Sequence, residues 1–150
     1  MIKKNIMNFS EKSIDKKKKI LGNLSKTYCR LKPSKIEGVG VFAIRDIPQG
    51  INPLPENKQQ TWITLDEKEL KQVPKEVLEL IDSFFVIEKN KQVEIPEQGL
   101  NGMDISFFLN HSKHPNMKTK DQGYNFITLR KIKKGEELTV DYGTYDYKFK

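Results

Sequence analysis

The 150-residue sequence predicts one mostly β domain with one or two short helices. Three observations support this prediction. Turn-forming residues recur at short intervals from residue 27 onward, the segments between them are rich in β-branched and aromatic residues, and a clear helical period of apolar residues occurs once. A chain of this length is enough for one domain with its own hydrophobic core.

Residues 1–25 differ from the rest of the chain. They contain a block of four lysines at 16–19, few aromatic residues and no sustained hydrophobic period. This composition predicts a basic, loosely ordered or partly helical tail ahead of a domain at 26–150. Two interpretations stay open: a solvated tail without a partner, or weak electrostatic contact with a polyanion or another acidic partner.

The first part of the domain reads as strands separated by turns. Three segments have strand composition: KTYCRL, VGVFAIR and TWITL. Pro33 ends the first of them, and Gly38 and Gly40 flank the start of the second. After the turn DIPQG, two prolines, Pro53 and Pro55, keep the chain extended or at a sheet edge.

One segment has the period of an amphipathic helix. Pro74 is well placed for its first turn, and a short helical turn at 66–73 precedes it. The apolar residues at helical spacing are Val77, Leu78, Ile81, Phe84 and Phe85.

The second half of the domain returns to strand-like segments. In order they are FFVIE, QVEI, YNFITLRKI and ELTVDY. A turn at Asn90 joins the first two into a predicted hairpin, and the turn KKGEE separates the last two. Between the pairs, residues 99–102 read as a flexible loop and ISFFL as a brief apolar turn or strand.

The single cysteine excludes an intramolecular disulfide and any multi-cysteine zinc cluster. We interpret Cys29 as a small buried strand residue and expect no metal site. No apolar run approaches the roughly 20 residues that span a bilayer, and no secretory h-region is visible. We therefore expect an intracellular protein without membrane contact.

The net charge of +7 and the pI near 9.4 have two interpretations. One is attraction to polyanions such as nucleic acid. The other is a lysine-rich composition that reflects an adenine-rich coding sequence. Lysine supplies 24 of the 27 basic residues, whereas nucleic-acid readers usually rely on arginine.

Three short motifs are candidates for chemistry. The first is the glycine pair in GVGVFA, the second is FFLNHSKHPN, and the third is GEELTVDYG. Each is weak alone: the Gly-x-Gly precedes a strand and lacks the third glycine of a dinucleotide fingerprint. A single Asn-His-Ser triplet or a tyrosine after an apolar strand is usually structural.

In this order, the three motifs resemble the SET domain of protein lysine methyltransferases, over roughly residues 27–147. The resemblance implies a mostly β SET (β-clip) fold whose C-terminal segment threads through a preceding loop, like a pseudoknot. That threading would bring residues 110–112 beside residues 141–143. It also implies S-adenosylmethionine as the cofactor and a lysine side chain of another protein as the methyl acceptor. A histone is a candidate for that substrate.

The matching positions imply the site residues. Tyr142 corresponds to the catalytic tyrosine, with Tyr147 as a fallback because TYDYKF resembles the same terminal pattern. The cofactor-binding positions are Gly38, Val39, Gly40, Asn110, His111 and Tyr142. Glycine permits close approach of the backbone to a ligand, and asparagine offers both a donor and an acceptor.

Methyl transfer to lysine requires that the amine, the methyl group and the sulfur are aligned, in a channel that excludes water. The amine must lose its proton from a solution pKa of about 10.4, which desolvation and a nearby sulfonium both favour. The proposed channel residues are Phe85, Tyr124, Tyr145 and Tyr147, and ordinary core packing is the other interpretation of Phe85 and Tyr124. One of the terminal aromatics, Tyr145, Tyr147 or Phe149, is expected to cover the adenine or the substrate lysine.

The sequence also departs from the family. It lacks the cysteine-rich zinc modules that flank many SET domains, and Val140 stands where some relatives carry an aromatic residue that sets the number of methyl groups. The degree of methylation and the oligomeric state stay open, a homodimer included. The alternative function is a catalytically weak SET-like module that binds a protein or nucleic acid.

Overall fold

The computed structural model describes the backbone of residues 2–54 and 60–150, and side chains from residue 12 onward outside that gap. Pro55, predicted to keep its segment extended, lies outside the described residues. No helix in the described ranges has both the length and the apolarity needed to cross a membrane.

Helix α1 spans Ile2–Ser25, and its side chains from residue 12 onward are exposed. Of the two forms predicted for this tail, loosely ordered or partly helical, the structure has the helical one. Lysine, leucine and isoleucine tolerate helical geometry, and no proline interrupts the segment. Arg45 donates to the carbonyl of Ser25 at the helix end, 2.5 Å away. Residues 1–26 hold eight lysines and two acidic residues, so six of the seven net positive charges lie here.

Eight short strands follow. They are β1 (Cys29–Pro33), β2 (Val39–Ala43), β3 (Trp62–Asp66), β4 (Gln92–Pro96), β5 (Asn110–His111), β6 (Met117–Thr119), β7 (Phe126–Thr128) and β8 (Glu137–Val140). The main sheet has the order β1-β2-β8-β5, in which only β5 and β8 are parallel. Two further antiparallel pairs are β3 with β4 and β6 with β7.

Two α-helices lie between β3 and β4. Helix α2 (Glu67–Leu70) begins at a capping box in which Asp66 accepts backbone N–H groups and Glu69 reaches back to the cap. Helix α3 (Lys75–Phe84) begins after Pro74, as predicted, and buries Ile81. The mostly β prediction with a few short helices in the domain is confirmed.

The predicted hairpin of FFVIE with QVEI is wrong in its pairing. QVEI is indeed strand β4, but it pairs along its whole length with β3 and forms only an isolated bridge, Ile87 to Val93, with the preceding segment. A strand has two edges, so β4 pairs with β3 along one edge and keeps the bridge to Ile87 on the other. Two other segments predicted as a loop and as a turn or strand are 3-10 helices, Gly99–Gly102 and Ile105–Phe108.

The apolar side chains form two clusters, which define two regions. The central region (residues 28–54 and 109–149) encloses the first cluster: Cys29, Val41, Ala43, Ile47, Leu54, Leu109, Met117, Phe126, Ile132, Leu138 and Val140. The insert (residues 62–107) encloses the second: Ile81, Phe85, Val93 and Ile95. Cys29 is buried at the start of β1, as predicted.

The 3-10 helix Ile105–Phe108 joins the two clusters. Ile105 and Phe108 pack against the first cluster, whereas Phe107 packs against the second. Side chains three residues apart lie on one side of a 3-10 helix, so this single turn can face two cores.

Candidate active site

The parallel pairing of β5 with β8 creates the candidate site. Asn110 lies opposite Thr139, His111 lies opposite Val140, and the N–H of Ser112 donates to the carbonyl of Val140 at 2.9 Å. The chain after β8 therefore begins beside the Asn-His-Ser segment. The two motifs, separated by almost 30 residues of sequence, meet at one sheet edge, while the threaded path of the C-terminal segment stays a prediction.

Tyr142 opens a 3-10 helix, Tyr142–Thr144, whose N-terminus is capped by Asp141. Its hydroxyl donates to the carbonyl of Leu109 at 2.6 Å. Burial, and secondarily the negative charge of Glu37, raises the pKa of Tyr142. The phenol therefore stays protonated at neutral pH, with its hydrogen directed at Leu109 and its lone pairs left to accept.

His111 is oriented by the backbone of Tyr142. Its Nδ1 accepts the Tyr142 N–H at 3.2 Å, so the proton of the neutral ring belongs on Nε2. The same Nδ1 lies 3.8 Å from a carboxylate oxygen of Asp141. The imidazole packs against the rings of Tyr142 and Phe149, with centroids 5.3 and 6.0 Å away.

Asn110 is a buried polar residue, 8% exposed, with an ordered amide. Its Nδ2 donates to Oε1 of Glu137 at 2.8 Å and to the carbonyl of Glu37 at 3.1 Å, with a longer contact of 3.4 Å to the carbonyl of Val39. None of the described residues donates a hydrogen bond to its Oδ1. This oxygen is available to a ligand.

The two glycines of the first motif are required for different reasons. Gly38 has a φ of +44°, in the left-handed region, and a Cβ there would meet nothing within 4 Å. At Gly40 a Cβ would lie 2.1 Å from Oε1 of Glu137. Between them, the backbone carbonyl of Val39 contacts Asn110, and its side chain is exposed. Gly40 thus makes room for a side chain of this protein.

The last residues of the chain cover one side of Tyr142. Asp146 is buried and caps the 3-10 helix Tyr147–Phe149 by accepting the Lys148 N–H at 2.9 Å. The Phe149 ring lies edge-on to Tyr142 at 5.0 Å and is 52% exposed. Lys148 forms an ion pair with Asp82 of α3, which ties this segment to the insert.

The four proposed channel residues are not brought together. Tyr145 lies near Tyr142, with ring centroids 5.9 Å apart, and burial raises its pKa. Tyr147 lies half-buried on the last 3-10 helix. Phe85 packs on Phe107 in the core of the insert at 5.0 Å, and Tyr124 stands edge-on to Trp62 at 6.1 Å.

Three further residues support the site, and the motifs by themselves assign no role to any of them. Ser34 donates its hydroxyl to the carboxylate of Glu137 at 2.8 and 2.9 Å. The Asn116 amide donates to the carbonyl of Glu137 at 2.8 Å and accepts the Thr139 N–H at 2.9 Å, fastening β8. Asn116 and Glu137 belong to the second and third motifs, so the sequence does point toward them. Nothing in the sequence marks Ser34.

Three acidic residues lie close to the candidate site. Glu37, Glu137 and Asp141 all lie against the residues that meet at the sheet edge. In the part of the chain that the structure describes, no three His, Cys, Asp or Glu side chains are placed to hold a metal ion. The arrangement favours a cationic organic ligand that needs hydrogen-bond acceptors and an aromatic surface.

A family model and a sequence relative point to the same family. The family model of the SET domain matches residues 38–143, well over half of the chain. The chain is 30% identical over 121 residues to a Schizosaccharomyces pombe protein described as a histone-lysine N-methyltransferase specific for H3 lysine-37, with 77% of this chain and 73% of that protein covered. A crystal structure of a candidate histone methyltransferase from Plasmodium falciparum aligns with a TM-score of 0.48 and 18% identity, over 78% of this chain and 94% of that one.

Proposed function

Because this chain belongs to the SET domain family, we propose that it transfers a methyl group from S-adenosylmethionine to the side-chain amine of a lysine in a protein substrate. The observation that carries the proposal is the position of Tyr142. Its neutral hydroxyl is fixed by the carbonyl of Leu109, directly beside the Asn110–His111 pair.

The residues at the sheet edge fit this cofactor. When bound, S-adenosylmethionine supplies an electrophilic methyl group on a positively charged sulfur. Asn110 presents a free acceptor oxygen, Glu37 provides negative charge, and the exposed part of Phe149 provides an apolar surface. The space beside Gly38 is open. We assign cofactor binding to Gly38, Val39, Gly40, Asn110 and His111.

Tyr142 acts by alignment and not as a base. Its raised pKa keeps the phenol protonated, and its hydrogen is already donated to Leu109. The hydroxyl oxygen can accept from the incoming amine or from the polarised methyl hydrogens. Bound S-adenosylmethionine would supply the methyl group and leave as the neutral thioether, and a lysine amine that has lost its proton to solvent would receive that group. Tyr142 would help to keep the amine and the methyl group aligned.

We propose a histone as the first substrate class to test, because the Schizosaccharomyces pombe relative is described as specific for lysine-37 of H3. The same argument favours an intracellular site of action. A basic helix α1 adds positive charge at the N-terminal end of the chain, where weak contact with nucleic acid would bring the enzyme near such a substrate.

The test is transfer of a labelled methyl group from S-adenosylmethionine to histones and to proteins of a cell lysate. We expect labelling by the wild-type protein and a loss of about 100-fold or more for Tyr142→Phe, because a group that aligns the transition state is removed. Tyr147→Phe is the matched control and should retain labelling. The reverse pattern would move the catalytic role to Tyr147.

Calorimetry with S-adenosylmethionine separates the remaining possibilities. Binding without labelling of any protein would favour the alternative of a binding module. Absence of both binding and labelling would contradict the proposed enzyme.

A further inference from the structure

Glu137 lies at the centre of the hydrogen bonds that hold the site. We propose that Glu137 is a positioning residue: its carboxylate fixes the side-chain amide of Asn110 so that Oδ1 is presented to the cofactor as an acceptor. The inference rests on the proposed function, since it assumes that the cofactor binds beside Asn110.

The orientation of the Asn110 amide follows from its neighbours. An asparagine amide has a donor end and an acceptor end of nearly equal size. The three groups around Nδ2 are the Glu137 carboxylate and the carbonyls of Glu37 and Val39, all of which can only accept. A flipped amide would set an oxygen against three other oxygens, so the donor end must face inward.

Among these three acceptors, Glu137 makes the dominant contact. Its distance of 2.8 Å is the shortest, and it is the charged one. Hydrogen bonds to an ionised acceptor are roughly twice as strong as neutral ones. The two carbonyls flank Gly38, one in the loop before β2 and one at the first residue of β2, so without Glu137 the amide would depend on backbone acceptors alone.

The carboxylate is itself immobilised. Ser34 donates its hydroxyl to it, and the strand position of Glu137, opposite Phe42 in the β2–β8 ladder, fixes its backbone. Its Oε1 occupies the space that a side chain at residue 40 would fill, only 2.1 Å from an added Cβ. Glycine at position 40 therefore leaves space for the Glu137 carboxylate.

Positioning and electrostatic attraction make different demands on this residue. Positioning needs an acceptor oxygen, which glutamine also offers, with its amino group turned to the Ser34 hydroxyl oxygen. Attraction of a cationic cofactor needs the charge, which glutamine lacks. Glu137→Gln therefore separates the two roles, and Glu137→Ala removes both.

The first experiment measures the affinity for S-adenosylmethionine by calorimetry, together with steady-state kinetics. For Glu137→Ala we expect affinity to fall about 10- to 100-fold, as for the loss of a charge-assisted hydrogen bond. The KM for the cofactor should rise in parallel, and kcat at saturation should stay within about threefold, since Tyr142 and Leu109 are untouched. Glu137→Gln should stay within about threefold of the wild type in affinity.

Glu136→Ala is the matched control. This neighbouring carboxylate forms an ion pair with Arg130 at 2.8 Å, away from Asn110. We expect its cofactor affinity to equal that of the wild type. Ser34→Ala, which frees one side of the Glu137 carboxylate, should weaken affinity less than Glu137→Ala and serves if that variant folds poorly.

A second readout needs no cofactor. In nuclear magnetic resonance spectra of the free protein, the side-chain NH₂ signals of Asn110, assigned by their loss in Asn110→Ala, should move in Glu137→Ala and keep their positions in Glu136→Ala. Unmoved signals would overturn the inference. So would a fall in kcat with unchanged cofactor affinity, or a Glu137→Gln variant as weak as Glu137→Ala.

The two proposals fail in different ways. Absence of cofactor binding by the wild-type protein would overturn the proposed function and the cofactor part of this inference with it. Wild-type binding that Glu137→Ala leaves unchanged would overturn the inference alone.

Discussion

The central region and the insert have cores of different chemical character. Within the described ranges, every buried polar side chain lies in the central region: Asn110, Asn116, Thr128, Thr139 and Asp146. The buried cluster of the insert consists of apolar residues, Ile81, Phe85, Val93 and Ile95. No buried side-chain N or O among the described residues lacks a hydrogen-bond partner.

This chemical difference indicates different roles for the two cores. An apolar core stabilises through burial and packing and tolerates many solutions. A satisfied polar network specifies one arrangement, because breaking a single bond leaves a buried group without a partner. Three of the five buried polar residues, Asn110, Asn116 and Thr139, lie on or directly beside the paired strands β5 and β8, where the candidate site is built.

The largest expected effect comes from breaking the polar network at Asn116. Asn116→Ala removes the amide that accepts from Thr139 and donates to the Glu137 carbonyl. Leaving these groups unpaired should lower the free energy of unfolding by about 2–4 kcal/mol, measured by urea denaturation. Cofactor affinity at low temperature should fall as well. A loss below about 0.5 kcal/mol would contradict the view that this amide fastens β8.

A matched pair of valines compares the two cores directly. Val140 of β8 and Val93 of β4 are both 1% exposed. Truncation to alanine should cost about 2 kcal/mol of unfolding free energy in each case. Cofactor affinity, measured well below both melting temperatures, should fall only for Val140→Ala, because Val140 is paired with His111. Equal losses would mean that the insert also holds the site.

The smallest effect is a pH dependence from the first cluster. Burial raises the pKa of the Cys29 thiol from 9.0 to about 12. Below pH 9 the thiol is protonated in both the folded and the unfolded chain, so it takes nothing from the free energy of unfolding. That free energy falls as the pH rises from 9 toward 12, because the thiol then ionises in the unfolded chain first. Between a pH below 9 and pH 10, the free energy of unfolding of the wild type should fall by about 1.4 kcal/mol more than that of Cys29→Ala. Urea denaturation of both proteins at the two pH values measures this difference. Equal pH profiles would show that the thiol is not held in the core.

The sequence predicts the strands better than their partners. Turn residues and β-branched runs locate β1, β2, β3 and β8, because these signals are local. Strand β4 pairs along its whole length with β3, beyond two intervening helices, and no local signal identifies that partner. Phe85 illustrates the same limit: its composition and position fit both a channel residue and a core residue, and only the folded chain places it in the core of the insert.

The site divides along similar lines. Gly38, Asn110, His111 and Tyr142 are proposed as site residues through the order of three motifs. Ser34 has no signal of its own, since a serine after a proline is typical of any turn. Its partner Glu137 is 103 residues away, and only the folded chain reveals the contact.

The Ser34–Glu137 hydrogen bond also bears on how the protein folds. A contact between residues 103 positions apart requires closure of a long loop, and chains dominated by such contacts fold slowly. The insert, whose cluster lies within residues 62–107, can collapse early on local contacts. During synthesis the ribosome must release β8 before Asn110 has its carboxylate partner, so the Asn110–Glu137 hydrogen bond can form only after residue 137 has emerged.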